Sequence, residues 1–242
     1  MTAILDVRDL VAGYEPGLSI VRGASIHANE GEIVIILGPN GAGKSSLIKA
    51  IAGLVPVTGG AAFLDGRDIT SVPAHMKIRS GLAFVPQTEN IFPLMSVEEN
   101  LKVSIGVLGK PDSVRRIEEM YTMFPDLARQ RKLMAGSLSG GQRQMLAVAR
   151  ALIVHPRVLM LDEPSAGLSP KFVEMVFQRL AEIRQAGLTI VLVEQNAKAA
   201  LAIGDRAYVL VEGREAHEGP ARTLWDDPVI AELYLGHRKE AS

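Results

Sequence analysis

Five short runs in the chain are apolar at every or nearly every position: residues 33–37, 82–85, 158–161, 189–193 and 208–211. Strands that show one face to water alternate apolar with polar residues, so unbroken runs of this length predict strands covered on both faces. Helical patterns separate them. Residues 45–54 follow the first run, and residues 171–185, with apolar positions at Phe172, Met175, Val176 and Leu180, lie between the third and fourth. Strands alternating with helices predict a mostly parallel α/β sheet.

Two regions break that rhythm. The first 30 residues read as antiparallel edge strands with a turn at Glu15-Pro16-Gly17. Residues 88–155 carry little strand signal and much helix signal, over 97–103, 113–123 and 142–154. They read as a helical lobe (88–155) inserted between two parts of one core, 1–87 and 156–242. Val211-Glu212-Gly213-Arg214 predicts a hairpin turn, and 228–235 a last short helix. The cluster Arg129, Arg131 and Lys132 reads as a solvated face.

Composition removes whole classes of chemistry. The chain has no cysteine, which excludes disulfides, thiolate metal sites and thiol nucleophiles. Its net charge of −1 argues against nucleic acid as a partner. Residues 1–10 hold Asp6, Arg8 and Asp9 and no apolar core, so no secretory signal is expected. No run reaches the ~18 apolar residues of a membrane span.

Gly38-Pro39-Asn40-Gly41-Ala42-Gly43-Lys44-Ser45 fits G-x-x-x-x-G-K-[ST] between an apolar strand and a helix. The glycines let the backbone curl so that its N–H groups converge on phosphate oxygens. A helix starting near Lys44 adds its positive end, Lys44 a full charge, and Ser45 a hard oxygen suited to Mg2+. The run 158–161 ends in Asp162 and Glu163. Ligands of open α/β sheets sit beyond the carboxyl ends of the strands, so both acids are expected near Lys44. Asp162 suits a Mg2+ ligand, and Glu163 a group that orients or deprotonates water.

Leu138-Ser139-Gly140-Gly141-Gln142 precedes a strong helix, with Ser139 at the cap and Gln142 lying 20 residues before Asp162. Alone it is a helix start that either binds an anion or does not. The three motifs in this order resemble the nucleotide-binding subunits of ATP-binding-cassette transporters, over nearly the whole chain. That resemblance implies an α/β fold, a P-loop NTPase (RecA-like) core with an N-terminal antiparallel β subdomain and an inserted α-helical lobe. It implies a Mg2+-dependent ATPase whose two copies meet head to tail around two ATP molecules. Residues Gly38 to Ser46, including Ser46 itself, would contact nucleotide. Ser139, Gly140, Gly141 and Gln142 would meet the nucleotide held by the partner. Gln87 would link Mg2+ and the attacking water to the helical lobe, and Tyr14 would stack on adenine, although a lone Tyr is also an ordinary packing residue. Phe92 to Leu101 matches the segment that touches the membrane subunits; as bare sequence it is a loop and a helix capped by Ser96 and Glu99.

Two positions depart from the common family pattern. Gln195 stands where most members have histidine; it donates a hydrogen bond but carries no proton or charge at neutral pH. Ser169 stands where aspartate is usual. His155, before Pro156, reads as a helix-end or surface residue. Together with Val-Glu-Gln-Asn, Gly-Leu-Ser-Pro and Tyr234-Leu-Gly236, the departures resemble the shorter ATPase of branched-chain amino acid importers. This implies two membrane-spanning permease subunits, a second cassette ATPase, an extracytoplasmic substrate-binding protein, and a peripheral position on the cytoplasmic face of the inner membrane. A lipid- or lipopolysaccharide-exporting ATPase and a soluble cassette protein of the iron–sulfur assembly type are the alternatives.

Overall fold

The run Ile33-Val-Ile-Ile-Leu37 presents apolar side chains to both sides of its strand, so it is stable only between two covering layers. The computed structural model, which describes residues 3–106 and 112–224, supplies both. Strands β1 (Ala3–Ala12), β2 (Val21–Asn29), β4 (Val57–Leu64) and β5 (Arg67–Asp68) form a four-stranded antiparallel sheet in the order β2-β1-β4-β5. Strand β3 (Ile33–Leu37) belongs to a second, six-stranded sheet. There it lies with β6 (Leu82–Val85), β7 (Val158–Asp162), β8 (Thr189–Val193), β9 (Arg206–Val211) and β10 (Arg214–Pro220), in the order β10-β9-β3-β8-β7-β6. The strands from β9 to β6 run parallel, and β10 closes the edge as an antiparallel hairpin with β9.

Alternation along these strands divides the core. Ile33, Ile35, Leu37, Leu159, Leu161, Ile190 and Leu192 face one layer, built largely from helices. Val34, Ile36, Val158, Met160, Val191 and Val193 face the other, with the antiparallel sheet and helix α1 (Lys44–Ile51). The other α-helices of the described residues are α2 (Ala74–Lys77), α3 (Val97–Gly106), α4 (Ser113–Met123), α5 (Pro125–Arg129), α6 (Gly140–Leu152), α7 (Pro170–Gln185), α8 (Ala197–Ile203) and α9 (Ala221–Leu224). Helices α3 to α6 all fall between β6 and β7, where the described backbone adds a 3-10 turn over Ala135–Ser137 and an isolated Ser96–Met134 bridge.

The sequence expectations need three corrections. Strand β1 is not an edge: it is hydrogen-bonded on both sides, to β2 and β4. Strands β4 and β5 were not foreseen, because Thr58-Gly-Gly-Ala-Ala62 carries no apolar alternation. Gly60 (φ +72°) sits against the β1 bulge at Asp9, where an added Cβ would meet Asp9 O at 2.2 Å. Helix α1 stops at Ile51 rather than 54, followed by Gly53 in a left-handed conformation. The expected helix 228–235 and Tyr234-Leu-Gly236 lie outside the described residues. His155 takes a left-handed turn (φ +52°) beyond α6, and its Nε2 lies 2.8 Å from Glu119 Oε2.

Lys77 is 2% exposed, and its Nζ donates to Ile51 O at 2.7 Å, closing the C-terminal end of α1. Burial lowers its pKa from 10.5 to about 8, against the pull of Asp68. Between those values the unfolded chain holds more protons than the folded one, so stability rises with pH through this window. Denaturation of wild type and Lys77→Met should show the difference moving about 2 kcal/mol in favour of wild type between about pH 7.5 and about pH 9.5. A constant difference would contradict a depressed Lys77.

Candidate active site

The loop between β3 and α1 has to reverse direction within six residues, and its glycines permit it. Gly38 (φ +146°), Gly41 (φ +80°) and Gly43 (φ +93°) hold conformations that L side chains rarely adopt. Gly38 also has no room for a side chain, since a Cβ would lie 2.2 Å from Leu210 O. No side chain caps α1 and no acid occupies its first turn, so the positive end of the helix opens toward the loop. Lys44, 5% exposed, folds back so that Nζ donates to Gly38 O at 2.8 Å and Pro39 O at 3.0 Å. Burial lowers its pKa, while Glu163 and Asp162 oppose that shift.

Strand β7 delivers both carboxylates to the same place. Ser45 Oγ donates to Asp162 Oδ1 at 2.7 Å. Asp162 Oδ2 is buried without a hydrogen bond, and its nearest cation is Lys49 Nζ at 3.7 Å. A buried carboxylate oxygen without a hydrogen donor, beside a hydroxyl, fits a small hard cation that keeps part of its water shell. Among the described residues no three His, Asp or Glu side chains converge as a metal cluster, so Mg2+ would take its remaining ligands from water and phosphate. Glu163 sits just past the strand at φ +47°, anchored by its N–H to Val193 O at 2.9 Å. Both of its carboxylate oxygens accept amide hydrogens, from Gln87 Nε2 at 2.7 Å and Gln195 Nε2 at 2.9 Å.

These groups surround a cavity of about 540 Å³ lined by residues 40–46, Ile20, Gln87, Glu163 and Gln195. Asp162 joins these groups through its hydrogen bond from Ser45, and Gly38 and Pro39 through their carbonyls on Lys44 Nζ. Tyr14 and residues 139–142 do not line this cavity. Tyr14 is 54% exposed. Ser139 instead opens α6 in a reciprocal capping box: its Oγ accepts from Gln142 N at 3.3 Å, and Gln142 Oε1 accepts from Ser139 N at 3.0 Å. Gly141 is needed for packing too, because a Cβ there would meet the Phe172 ring at 2.4 Å. Ser169 is the N-cap residue of α7 and makes no side-chain cap bond.

Several residues here carried no sequence signal. Ile20 lines the cavity, and Gly213 clasps the loop from outside: its N–H donates to Ala42 O at 3.0 Å while its O accepts from Arg22 N at 2.8 Å. Only the hairpin turn at Gly213 was legible. A Cβ on Gly213 (φ +82°) would lie 2.0 Å from Ile20 O. Gly213→Ala should weaken ATP binding at least about tenfold without touching nucleotide, by displacing the loop; unchanged affinity in a titration would show that the clasp is dispensable. Asn100, fully buried, staples the segment before α3. Its side chain accepts from Phe92 N at 2.8 Å and donates to Phe92 O at 2.9 Å and Ser96 O at 3.0 Å. Leu94, within that loop, is left 86% exposed.

The family model for ABC transporters matches residues 21–166, more than half of the chain. The chain belongs to the ABC transporter family. It is 46% identical to a probable branched-chain amino acid transport ATP-binding protein of Archaeoglobus fulgidus, over 94% of this chain and 96% of that one. It is 34% identical to a lipopolysaccharide export system ATP-binding protein of Acidithiobacillus ferridurans, over 98% of each. A crystal structure of the ADP conformation of an ATP-binding cassette superposes with a TM-score of 0.86 at 28% identity, covering 98% of this chain and all of the other. This ABC ATPase thus has the P-loop NTPase fold and the ATP-hydrolysing activity of the family. No helix among its described residues is long and apolar enough to cross a membrane.

Proposed function

We propose that this chain is the ATP-hydrolysing subunit of an importer for branched-chain amino acids or related amides. The observation that carries the transporter part is the division of the nucleotide chemistry. The loop around Lys44, with Glu163, Gln87 and Gln195, forms one cavity, while the glycine start of α6 stands outside it. The first N–H groups of a helix have no partner within the helix, so Gly140 and Gly141 are free of the capping box to meet an anion held by a second cassette. The substrate class rests on the 46% identity to the Archaeoglobus protein.

In this mechanism the N–H groups of residues 40–46 and the ammonium of Lys44 bind the ATP phosphates. Ser45 and Asp162 hold Mg2+, which when bound supplies positive charge against the phosphate oxygens. Glu163 orients the attacking water and accepts its proton through the lone pairs that the single hydrogen bonds from Gln87 and Gln195 leave open. Tyr14, 54% exposed, stacks on the adenine. Ser139, Gly140, Gly141 and Gln142 close on the nucleotide of a partner ATPase. The loop stapled by Asn100, with Leu94 outward, bears on two permease subunits at the cytoplasmic face of the membrane, fed by an extracytoplasmic binding protein.

Lipopolysaccharide export is the second reading, favoured by the 34% identity over 98% of the chain. Purification of the tagged full-length chain from its native membranes in mild detergent, with partners identified by mass, separates them. Two permeases, a second cassette and an amino-acid-binding protein support import. A lipid-export assembly or only soluble partners overturn it.

A further inference from the structure

Glu194 has no part in the chemistry above, yet it is 1% exposed and follows β8 directly, between Val193 and Gln195. A buried carboxylate is unfavourable unless its oxygens are fully supplied with donors. Here four donors reach it. Oε1 accepts from Ser165 N at 2.9 Å, and Oε2 from Ser165 Oγ at 2.8 Å, Gln195 N at 3.2 Å and Asn196 N at 3.4 Å. Ser165 is itself buried and lies two residues beyond Glu163, where Ala166 N donates back to Glu163 O at 3.1 Å. One side chain therefore joins the turn that follows Glu163 to the turn that carries Gln195. The two functional side chains then meet at 2.9 Å across the same junction.

We propose that Glu194 is a positioning residue for ATP hydrolysis: by holding Ser165 and the Gln195 backbone together, it fixes where the Glu163 carboxylate stands relative to the Gln195 amide. The inference rests on Glu163 acting on the attacking water. Glu194 touches neither nucleotide nor water in this account. Its effect belongs in the chemical step rather than in binding, because the cavity's phosphate-facing loop is built from other elements.

The test measures steady-state ATP hydrolysis, ATP affinity and thermal midpoint on the full-length chain and four variants. Glu194→Gln keeps the shape but sets an NH2 against hydrogen donors. Ser165→Ala removes one donor, and Ser165→Thr restores the hydroxyl. Glu163→Gln reports on the base itself. Expected is a kcat about tenfold lower for Glu194→Gln and Ser165→Ala, with KM and ATP affinity within about twofold and Ser165→Thr returning close to wild type. Should Glu194→Gln fail to fold, the two Ser165 variants carry the comparison. Wild-type kcat in Ser165→Ala beside an inactive Glu163→Gln would overturn the positioning role and leave the base intact. So would a loss shared between kcat and KM that follows the thermal midpoint and that Thr does not rescue. Full turnover in Glu163→Gln would remove the base, and the positioning role with it.

Discussion

Glu163→Gln is expected to bind ATP within about twofold of wild type while turning it over at least about 10²-fold more slowly, the scale for losing a positioned general base. Binding is spared because the groups proposed to meet the phosphates are elsewhere, on residues 40–46. Turnover is not, for two reasons. The glutamine amide cannot accept the proton of the attacking water. It also faces two amide donors, Gln87 Nε2 and Gln195 Nε2, which the carboxylate satisfies with one oxygen each. A glutamine sets an NH2 against one of these two donors, so one of the three amides must flip or turn away. Single-turnover hydrolysis, with ATP affinity measured on the same sample, checks both halves. Turnover near wild type would dismiss Glu163 from this role.

Lys44→Ala is expected to raise the ATP Kd by about 10²-fold or more. Hydrogen bonds to a charged partner contribute about 1.5–3 kcal/mol each, and a phosphate replaces two carbonyl acceptors as the partner of this ammonium. In the structure Lys44 already points at the loop, held by Gly38 O and Pro39 O. The ligand therefore redirects an ordered group, at small entropic cost. Glu163 and Asp162 work against the effect of burial and help keep the amine charged. Without this cation, Lys49, 3.7 Å from Asp162 Oδ2, is the ammonium left to offset those two carboxylates. Binding by titration calorimetry at wild-type affinity would contradict this assignment.

The parts of the fold legible in sequence were those whose signal is local. Ile33–Leu37 and Val158–Asp162 are buried at every position, and their apolar runs say so. The loop glycines and Lys44 sit at fixed spacing along one turn, as do Ser139 and Gln142 of the capping box. Strand β4 was illegible because its pairing depends on small residues opposite a bulge in β1 rather than on alternation. Ile20 and Gly213 were illegible because what matters is backbone contact between segments far apart in the chain. Glu194 and Asn100 looked like ordinary polar residues; only the three-dimensional structure reveals that each is buried and satisfies a whole turn. Among the residues expected at the site, Tyr14 does not line the cavity, and neither do residues 139–142, which the family resemblance assigns to the nucleotide of a partner.

The left-handed backbone at Glu163 (φ +47°) carries a consequence for how this protein can change over generations. Glutamate in that conformation costs on the order of 1 kcal/mol that glycine or asparagine would largely recover. Glycine and asparagine relieve this strain only by removing the carboxylate, and aspartate relieves it only by drawing the carboxylate back on a shorter side chain. A population screened only for heat resistance would drift toward them and lose hydrolysis, whereas any lineage that retains Glu163 despite the strain reveals selection for turnover itself.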